Sequence, residues 1–354
     1  MNTRTSPPRV PSRAFSLGLA HGSWPRLALG LTVGLALTGT HAFAQDWSDR
    51  PDEFAPTGIE TDTGEEAGAW TFSYQYTRTA GSGLLDGRGS VSSGDVFADG
   101  YNASPHHKVR EAHLFSALYG YDETTSIRFT LPWLNNEVTM RSSLGGIYGM
   151  RSTGMGDLRI TGLFDLSQAE GEGFHAQLGV SLPTGSLDER GITPFGGGTS
   201  EKLPYYLQLS SGTVDLIPGI TYVQQDESTS LGVQAREVLR FSENSDDYQL
   251  GNETILNAWV SRVFKDDLSG SLRLGYHHLG NVKGADPEID ATQSPMHDPR
   301  NQGGDSVGVF AGLNYTQTGG HSFGFELGGP LWQDLNGPQV EHDISYSLGW
   351  HFSF

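Results

Sequence analysis

The chain has 354 residues, a formal net charge of −19 and no cysteine. So acidic a chain argues against nucleic acid as a partner and against polybasic docking to anionic lipid. Without cysteine it has neither disulfides nor an N-terminal cysteine that could carry a lipid anchor. Its 48 glycines and 10% aromatic residues are more typical of membrane β-barrel strands than of an average soluble domain.

Residues 1–44 are predicted to form a signal peptide. The apolar core Leu27–Leu37 is too short and wrongly flanked for a membrane-spanning helix, and an Ala42-Phe43-Ala44 cleavage motif follows it. We expect the mature chain to begin near Gln45, to be exported, and to reside in the cell outer membrane. The basic residues before the apolar core are Arg4, Arg9, Arg13 and Arg26, and their removal lowers the formal charge from −19 to −23.

Residues 45–68 are acidic, rich in turn formers and without periodicity. They are predicted to be a flexible periplasmic leader, with a lumenal plug as the alternative.

Residues 69–354 contain segments of about ten residues that alternate apolar and polar side chains, which is the pattern and length of tilted strands that cross a bilayer. The last segment is typical: Ile344, Tyr346, Leu348 and Trp350 alternate with small or polar residues. The predicted strands are Ala69–Arg78, Glu111–Tyr121, Thr125–Trp133, Gly156–Ser167, Gly173–Pro183, Thr213–Gln224, Ser230–Phe241, Thr254–Phe264, Leu268–Leu279, Ser306–Thr316, Ser322–Trp332 and a closing strand from Gln339.

The links between these segments alternate between long and short almost throughout. Long links such as Thr184–Gly212 and Gly280–Asp305 follow short ones such as Gln168–Glu172. This parity is expected when one rim faces outside and the other carries tight periplasmic turns. The sequence therefore predicts an all-β fold: a transmembrane, antiparallel, up-and-down β-barrel of about 12 strands, with both termini in the periplasm. The two long loops named here are the predicted gates.

If the apolar face of each strand meets lipid, the alternate residues line the lumen. Charged residues there need water or partner charges. Two interpretations stay open: a polar pore that steers solutes, or a salt-bridged interior that only packs the barrel. The pore-lining candidates are Arg128, Arg159, His175, Gln177, Arg236, Arg240, Arg273, His277, Glu326 and His351.

The end of the chain resembles the closing strand of outer-membrane barrels. There the terminal aromatic residue, here Phe354, is the signal that the barrel-assembly machinery reads. The expected partners are this machinery, outer-membrane lipid and a small-molecule solute.

Several longer stretches resemble the outer-membrane transporters described as the phenol-degradation meta-pathway family. The resemblance covers most of the mature chain, and it implies passive uptake of small, aromatic or hydrophobic compounds. Some relatives are rich in Met and His in the leader and first loop, and this chain is not. The matching stretches are TGMGDLRITGLFDL from Thr153, LGVSLPTGS from Leu178, LPYYLQLSSGTVDLIPGITY from Leu203, YQLGNE from Tyr248, GNVKGADPEI from Gly280 and the closing GPQVEHDISYSLGWHF.

Besides a structural barrel without transport, a hydrolase and a metal-binding protein are the alternatives to a channel. A hydrolase needs a Ser activated by a His, and no G-x-S-x-G motif or spacing selects such a pair. A metal site would have to use loop histidines such as His106, His107, His113 and His297, whose spacing fixes no coordination geometry. We therefore expect no enzymatic activity, no cofactor and no bound metal.

Overall fold

The computed structural model describes residues 50–60, 64–169 and 171–354, so the predicted signal peptide lies outside the described residues. Twelve antiparallel strands make up the barrel. In chain order they are β1 (Trp70–Ser82), β2 (Ala103–Asp122), β3 (Thr125–Ser142), β4 (Leu158–Ala169), β5 (Glu172–Leu182), β6 (Asp215–Gln225), β7 (Thr229–Val238), β8 (Glu253–Lys265), β9 (Leu268–Leu279), β10 (Gly304–Gln317), β11 (His321–Val340) and β12 (Ile344–Ser353).

Each strand pairs with its neighbour in the chain, and the barrel closes where β1 pairs with β12. The closing register runs from Thr71 opposite Ser353 to Ala80 opposite Ile344. Closure leaves no free edge, as a sheet in a bilayer requires. The predicted all-β, twelve-stranded up-and-down barrel is confirmed.

Side chains on the two faces of the sheet differ as the period-two pattern requires. On β1, the outward-facing side chains from Trp70 to Tyr76 are aromatic, and the inward-facing side chains between them are polar. Exposed apolar side chains on the outer face include Phe72, Phe115, Phe129, Leu231, Leu272, Leu313, Phe325 and Leu348. Buried polar side chains on the inner face include Ser126, Thr161, Gln177, Thr221, Gln234, Asn257, Ser261, Asn314 and Ser347.

We call one rim the turn end. The short links 123–124, 226–228, 266–267 and 318–320 lie there, and so do both termini of the barrel: Trp70 and Phe354 exchange two backbone hydrogen bonds of 3.1 and 3.0 Å. The other rim, the loop end, carries links 83–102, 143–157, 183–214, 239–252 and 280–303. The predicted separation of long and short links is therefore present. The last link is shorter than expected, residues 341–343, because β11 continues to Val340.

Three strands extend furthest beyond their predicted ends at the loop end: β2 begins at Ala103, β3 continues to Ser142 and β11 to Val340. On β3 the apolar face changes sides. Phe129 points outward, but the inward-facing Val138 and Met140 are fully buried. Polar residues such as Arg141 face out instead. Above the lipid the outer face is wet and the inner face is covered by loops, so the polarity of the two faces reverses.

The remaining elements are short and belong to the loop end. A helix, α1 (Ser93–Ala98), begins with a capping box between Ser92 and Asp95, and its Val96 is buried against Leu84 and Val340. No helix among the described residues has the length and apolar character needed to cross a membrane. The other short strands are Leu84–Gly87, Gly89–Val91, Ile147–Met155, Arg190–Ile192, Ser200–Lys202, Tyr248–Gln249 and Lys283–Gly284, and the 3-10 turns are Tyr205–Leu207, Pro295–His297 and Pro299–Asn301.

Candidate functional site

The barrel lumen is occupied at the turn end by residues 50–60, which we call the plug segment. Inward-facing side chains from strands all round the barrel contact it, and a segment can meet the whole ring only from inside. For these residues the structure differs from the expected flexible leader. The difference arises because wall side chains bind the backbone of this segment, an interaction that leaves no periodicity in its sequence. The wall residues with hydrogen bonds to it include Arg159, Gln225, Ser230, Gln234, Arg236, Ser269 and Asn314.

Backbone carbonyls of the plug segment accept most of these bonds. Ser269 donates to the carbonyl of Pro51 at 2.7 Å, and Asn314 donates to that of Phe54 at 3.1 Å. The Phe54 ring stacks on His351 with centroids 4.8 Å apart. Hydroxyl and amide side chains on the inner wall thus replace water around a segment that has two hydrogen-bonded turns but no helix or strand.

Glu60 is the charged centre of this contact. Its Oε2 lies 2.7 Å from Arg159 and 2.8 Å from Arg236, on β4 and β7. Burial opposes ionisation of Glu60, but the two arginines outweigh burial and lower its pKa from 4.5 to about 2. The carboxylate is therefore ionised at neutral pH and compensates two lumenal cations.

A second ion pair lies beside the plug segment. Arg273 Nε donates to Glu326 at 3.0 Å, a second guanidinium nitrogen of Arg273 donates to Asn257 at 2.8 Å, and the guanidinium lies 4.0 Å from the ring centroid of Phe310. Both charged side chains are buried, and Gly58 lies so close that a Cβ there would overlap them. Arg273 and Glu326, both predicted from the sequence to face the lumen, thus form an ion pair on the wall beside the plug segment.

His351 and Arg128 border a cavity of about 30 Å³ between the plug segment and the wall. That volume is about the share of one water molecule. The cavity is also lined by Ile59 of the plug segment and by Leu114 and Thr130 of the wall. The plug segment thus packs against this part of the wall with a cavity between them that is too small for an organic solute.

The remaining candidates occupy other parts of the inner face. His175 contacts Asp165 on the neighbouring strand, and Gln177, two residues further along the same face, is buried. Arg240, just beyond the end of β7, lies 3.2 Å from Asp215 and 3.1 Å from Glu253. His277 lies 3.6 Å from Glu253. All ten predicted positions thus lie on or beside the inner wall, but the structure distributes them over several separate groups.

The loop end is covered by the two long loops that the sequence singles out as gates. Lys202 of the first lies 2.7 Å from Asp286 of the second and 2.6 Å from Asp246 of the neighbouring link 239–252. Burial opposes the charge on Lys202, but hydrogen bonds to the two carboxylates outweigh it and raise the pKa of the amine. Beneath this pair lies an apolar cluster of Ala103, Val138, Met140, Met150, Leu203, Leu207 and Met296. We call this assembly the cap.

Sequence reasoning missed three residues of the inner wall, Lys108, Arg110 and His342. The first two lie within the link predicted for Thr79–Arg110, which the structure resolves into the extension of β2. A signal was available, because the apolar Val109 separates Lys108 from Arg110, as in a strand with one polar and one apolar face.

The histidines do not assemble into a metal site or a catalytic group. Among the described residues, no three His, Asp or Glu side chains lie close enough to hold a metal ion. The Ser294 hydroxyl lies 2.7 Å from His297 Nδ1, but the serine is completely buried in the cap, where a substrate has no access. Burial lowers the pKa of His297 to about 4, so its imidazole is neutral at physiological pH.

Comparison with known proteins shows which solved structures share this fold. No protein-family model matches the sequence, and no curated protein matches it. Among solved structures, the chain is similar to the COG4313 outer membrane channel from Pseudomonas putida F1, with a TM-score of 0.59 and 17% identity over 83% of this chain and 100% of that chain. At this level of identity the likeness shows the fold, that of an outer-membrane β-barrel.

Two further solved structures match with lower scores. They are the CymD monoaromatic hydrocarbon channel, with a TM-score of 0.40 and 12% identity over 82% of this chain and 89% of that chain, and the Ralstonia pickettii toluene transporter TbuX, with a TM-score of 0.41 and 10% identity over 82% of this chain and 90% of that chain. The resemblance to the phenol-degradation meta-pathway family stays a prediction.

Proposed function

We propose that the protein is an outer-membrane channel for the passive passage of small solutes, with the lumen as its path. The observation that carries this proposal is what fills the lumen at the turn end. The wall contributes mainly polar and charged side chains, and the space between them is occupied by a separate stretch of chain, residues 50–60. A barrel that served only as a structural shell would need no removable filling.

The contacts of the plug segment are of a kind that water can replace. Ser269, Asn314 and Gln234 bind its backbone carbonyls, and each such bond contributes about 1 kcal/mol net. The ion pairs of Glu60 are the strongest single attachment. When the plug segment leaves, the wall groups that it exposes are hydrophilic, so the emptied lumen would hold water.

The class of solute and the location rest on the sequence. The resemblance described above supports small aromatic or hydrophobic compounds as the solutes. The signal peptide, the apolar outer face and the C-terminal strand support the outer membrane as the location. Phe354 is 63% exposed and stacks on Phe72 and Phe352 at the turn end, in a position where the assembly machinery could bind it.

The proposal is tested by conductance and solute flux of the refolded mature chain in planar bilayers and liposomes. The same measurements are made on the double variant Arg236→Ala, Arg273→Ala. Reproducible openings whose ion selectivity shifts in the double variant support a lumenal path. A heat-resistant barrel that never conducts and passes no solute would overturn the proposal and favour a structural barrel. A lipase assay on the same preparation tests the hydrolase alternative.

A further inference from the structure

Two cations on the inner wall at the loop end differ from all those described above. Lys108 pairs across the sheet with Val138, and Arg110 pairs with Asn136. Val138 and Asn136 are almost completely buried, and cross-strand partners share a face, so Lys108 and Arg110 point into the lumen. The two cations are two residues apart on one strand, which places them side by side.

An aromatic ring from the cap lies over the first of them. The Lys108 Nζ is 4.9 Å from the centroid of Tyr206, a cation–π contact. The Tyr206 hydroxyl donates to the Val109 carbonyl at 3.4 Å, which fixes the ring against β2. Its neighbour Leu207 belongs to the apolar cluster of the cap together with Val138. The ammonium therefore lies at the border between charged wall and apolar cap.

His342 is a third basic residue in this group. Gly81 pairs with Lys108, and a Cβ on Gly81 would lie only 3.1 Å from the His342 Cα, so His342 lies over the strand directly beside Lys108. The Gln333 side chain fixes this position by donating to the His342 carbonyl at 3.0 Å and accepting from its N–H at 2.9 Å. The charge of Lys108, followed by burial and then by His277 and Arg110, holds the pKa of His342 well below its usual range.

Among the described residues, no carboxylate forms an ion pair with Lys108 or Arg110. Within residues 50–60, 64–169 and 171–354, the ion pairs closer than 4.0 Å include neither Lys108 nor Arg110. Glu253, the carboxylate beside His277, is already bound to Arg240 at 3.1 Å. A partly buried cation without a counter-ion is unfavourable, so the group favours an anion that enters the lumen.

We infer that Lys108 and Arg110, with the ring of Tyr206 beside them, form a binding site for small organic carboxylates. The two cations would contact the carboxylate, and the aromatic ring would pack against the apolar body of the solute. An inorganic anion would use only the charged half of this site, and a neutral aromatic compound only the apolar half. The inference rests on the proposed channel function, since the site lies on the lumenal path.

Equilibrium binding to the full mature chain in detergent micelles tests the site without requiring an open pore. The probes are benzoate and its neutral isostere benzamide, measured by titration calorimetry. We expect benzoate to bind about tenfold or more tightly than benzamide, because a charge-assisted contact of this kind contributes at least 1.4 kcal/mol. Lys108→Gln and Arg110→Gln should each weaken benzoate binding about tenfold and leave benzamide binding unchanged.

Matched controls come from the same end of the barrel. Lys283→Gln and Arg151→Gln remove exposed cations and should leave both affinities unchanged. Tyr206→Ala should weaken both probes alike. Heat-modifiable migration of each variant confirms that its barrel has formed.

Three results would overturn the inference: no benzoate binding, equal binding of the two probes, or unchanged benzoate binding in both charge variants. These outcomes are separate from the fate of the channel. A conducting barrel without benzoate binding disproves the site alone, and benzoate binding by a barrel that never conducts disproves the channel alone.

Discussion

Two groups of cations on the inner wall differ in how their charge is compensated. Beside the plug segment, Arg159 and Arg236 share the carboxylate of Glu60, and Arg273 is paired with Glu326. At the loop end, Lys108 faces a tyrosine ring and has no carboxylate within 4.0 Å among the described residues. Charges that are compensated within the chain hold a segment in place, whereas charges that are not compensated leave a place for a solute anion. The contrast assigns closure to the plug segment and binding to the group around Lys108 and Arg110.

Replacement of the plug segment should have the largest effect. A variant in which residues 50–60 become a Gly/Ser stretch of the same length keeps the chain length but loses the contacts of Phe54, Thr57 and Glu60. We expect openings that persist at all voltages and a conductance several times that of the wild type, because the polar lumen would fill with water. Planar-bilayer recording measures this. Unchanged conductance would show that closure lies elsewhere.

Replacing Lys202 should destabilise the cap, whereas replacing Lys108 should not. Lys202→Met leaves the buried Asp286 and the partly exposed Asp246 without their cation and should destabilise the cap by about 3 kcal/mol. Lys108→Met removes an uncompensated cation and should not destabilise it. Hydrogen exchange of the Leu203–Leu207 backbone measures the stability of the cap in both variants. Equal destabilisation by the two substitutions would contradict the charge assignment.

Removal of the plug charge alone should have an intermediate effect. Glu60→Gln keeps the shape of the side chain but takes away the charge that two arginines share, and we expect the open fraction to rise about tenfold. The anion preference of the pore should rise as well. Glu53→Gln, which removes another carboxylate of the same segment, serves as the control. An equal response to both substitutions would show that the ion pairs of Glu60 do not hold the plug segment in place.

Acidification should have the smallest effect within the accessible pH range. The pKa of Glu60 falls from 4.5 to about 2 when the plug segment is docked, so docking is fully stabilised above pH 4.5 and loses this contribution as the pH falls toward 2. We expect the open fraction to stay constant from pH 7 to 5 and to rise by a few-fold toward pH 3. Glu60→Gln should abolish this rise. A midpoint near the ordinary pKa of a glutamate would contradict the ion pairs.

The sequence was sufficient for the barrel but not for what fills it. Strands such as β9, Leu268–Leu279, were predicted with their observed ends, because the lipid keeps one face apolar over the whole length of a strand. The upper part of β3 was not predicted, because the apolar face moves from Phe129 outside to Val138 and Met140 inside. When every apolar strand residue is assigned to the lipid-facing side, a segment whose apolar face has moved inside no longer fits the strand pattern and is predicted to be a loop.

The plug segment illustrates a second limit. Its binding depends on backbone carbonyls that accept from Ser269 and Asn314, more than two hundred residues away in sequence. Backbone acceptors are present in every residue and leave no pattern in the sequence. Glu60 was visible only as one acidic residue among several. The ten lumenal candidates were identified by parity, but parity does not reveal which of them share a partner.

The most direct measurement uses the absence of cysteine from the chain. A Cβ on Gly324 would lie 3.4 Å from the Cβ of Thr57, close to the separation of about 3.5–4.5 Å in a disulfide. The double variant Thr57→Cys, Gly324→Cys therefore fixes the plug segment to β11 under oxidising conditions. We expect the oxidised protein not to conduct, and reductant to restore openings in the same bilayer, with neither single variant responding. Equal conductance before and after reduction would contradict the assignment of closure to the plug segment.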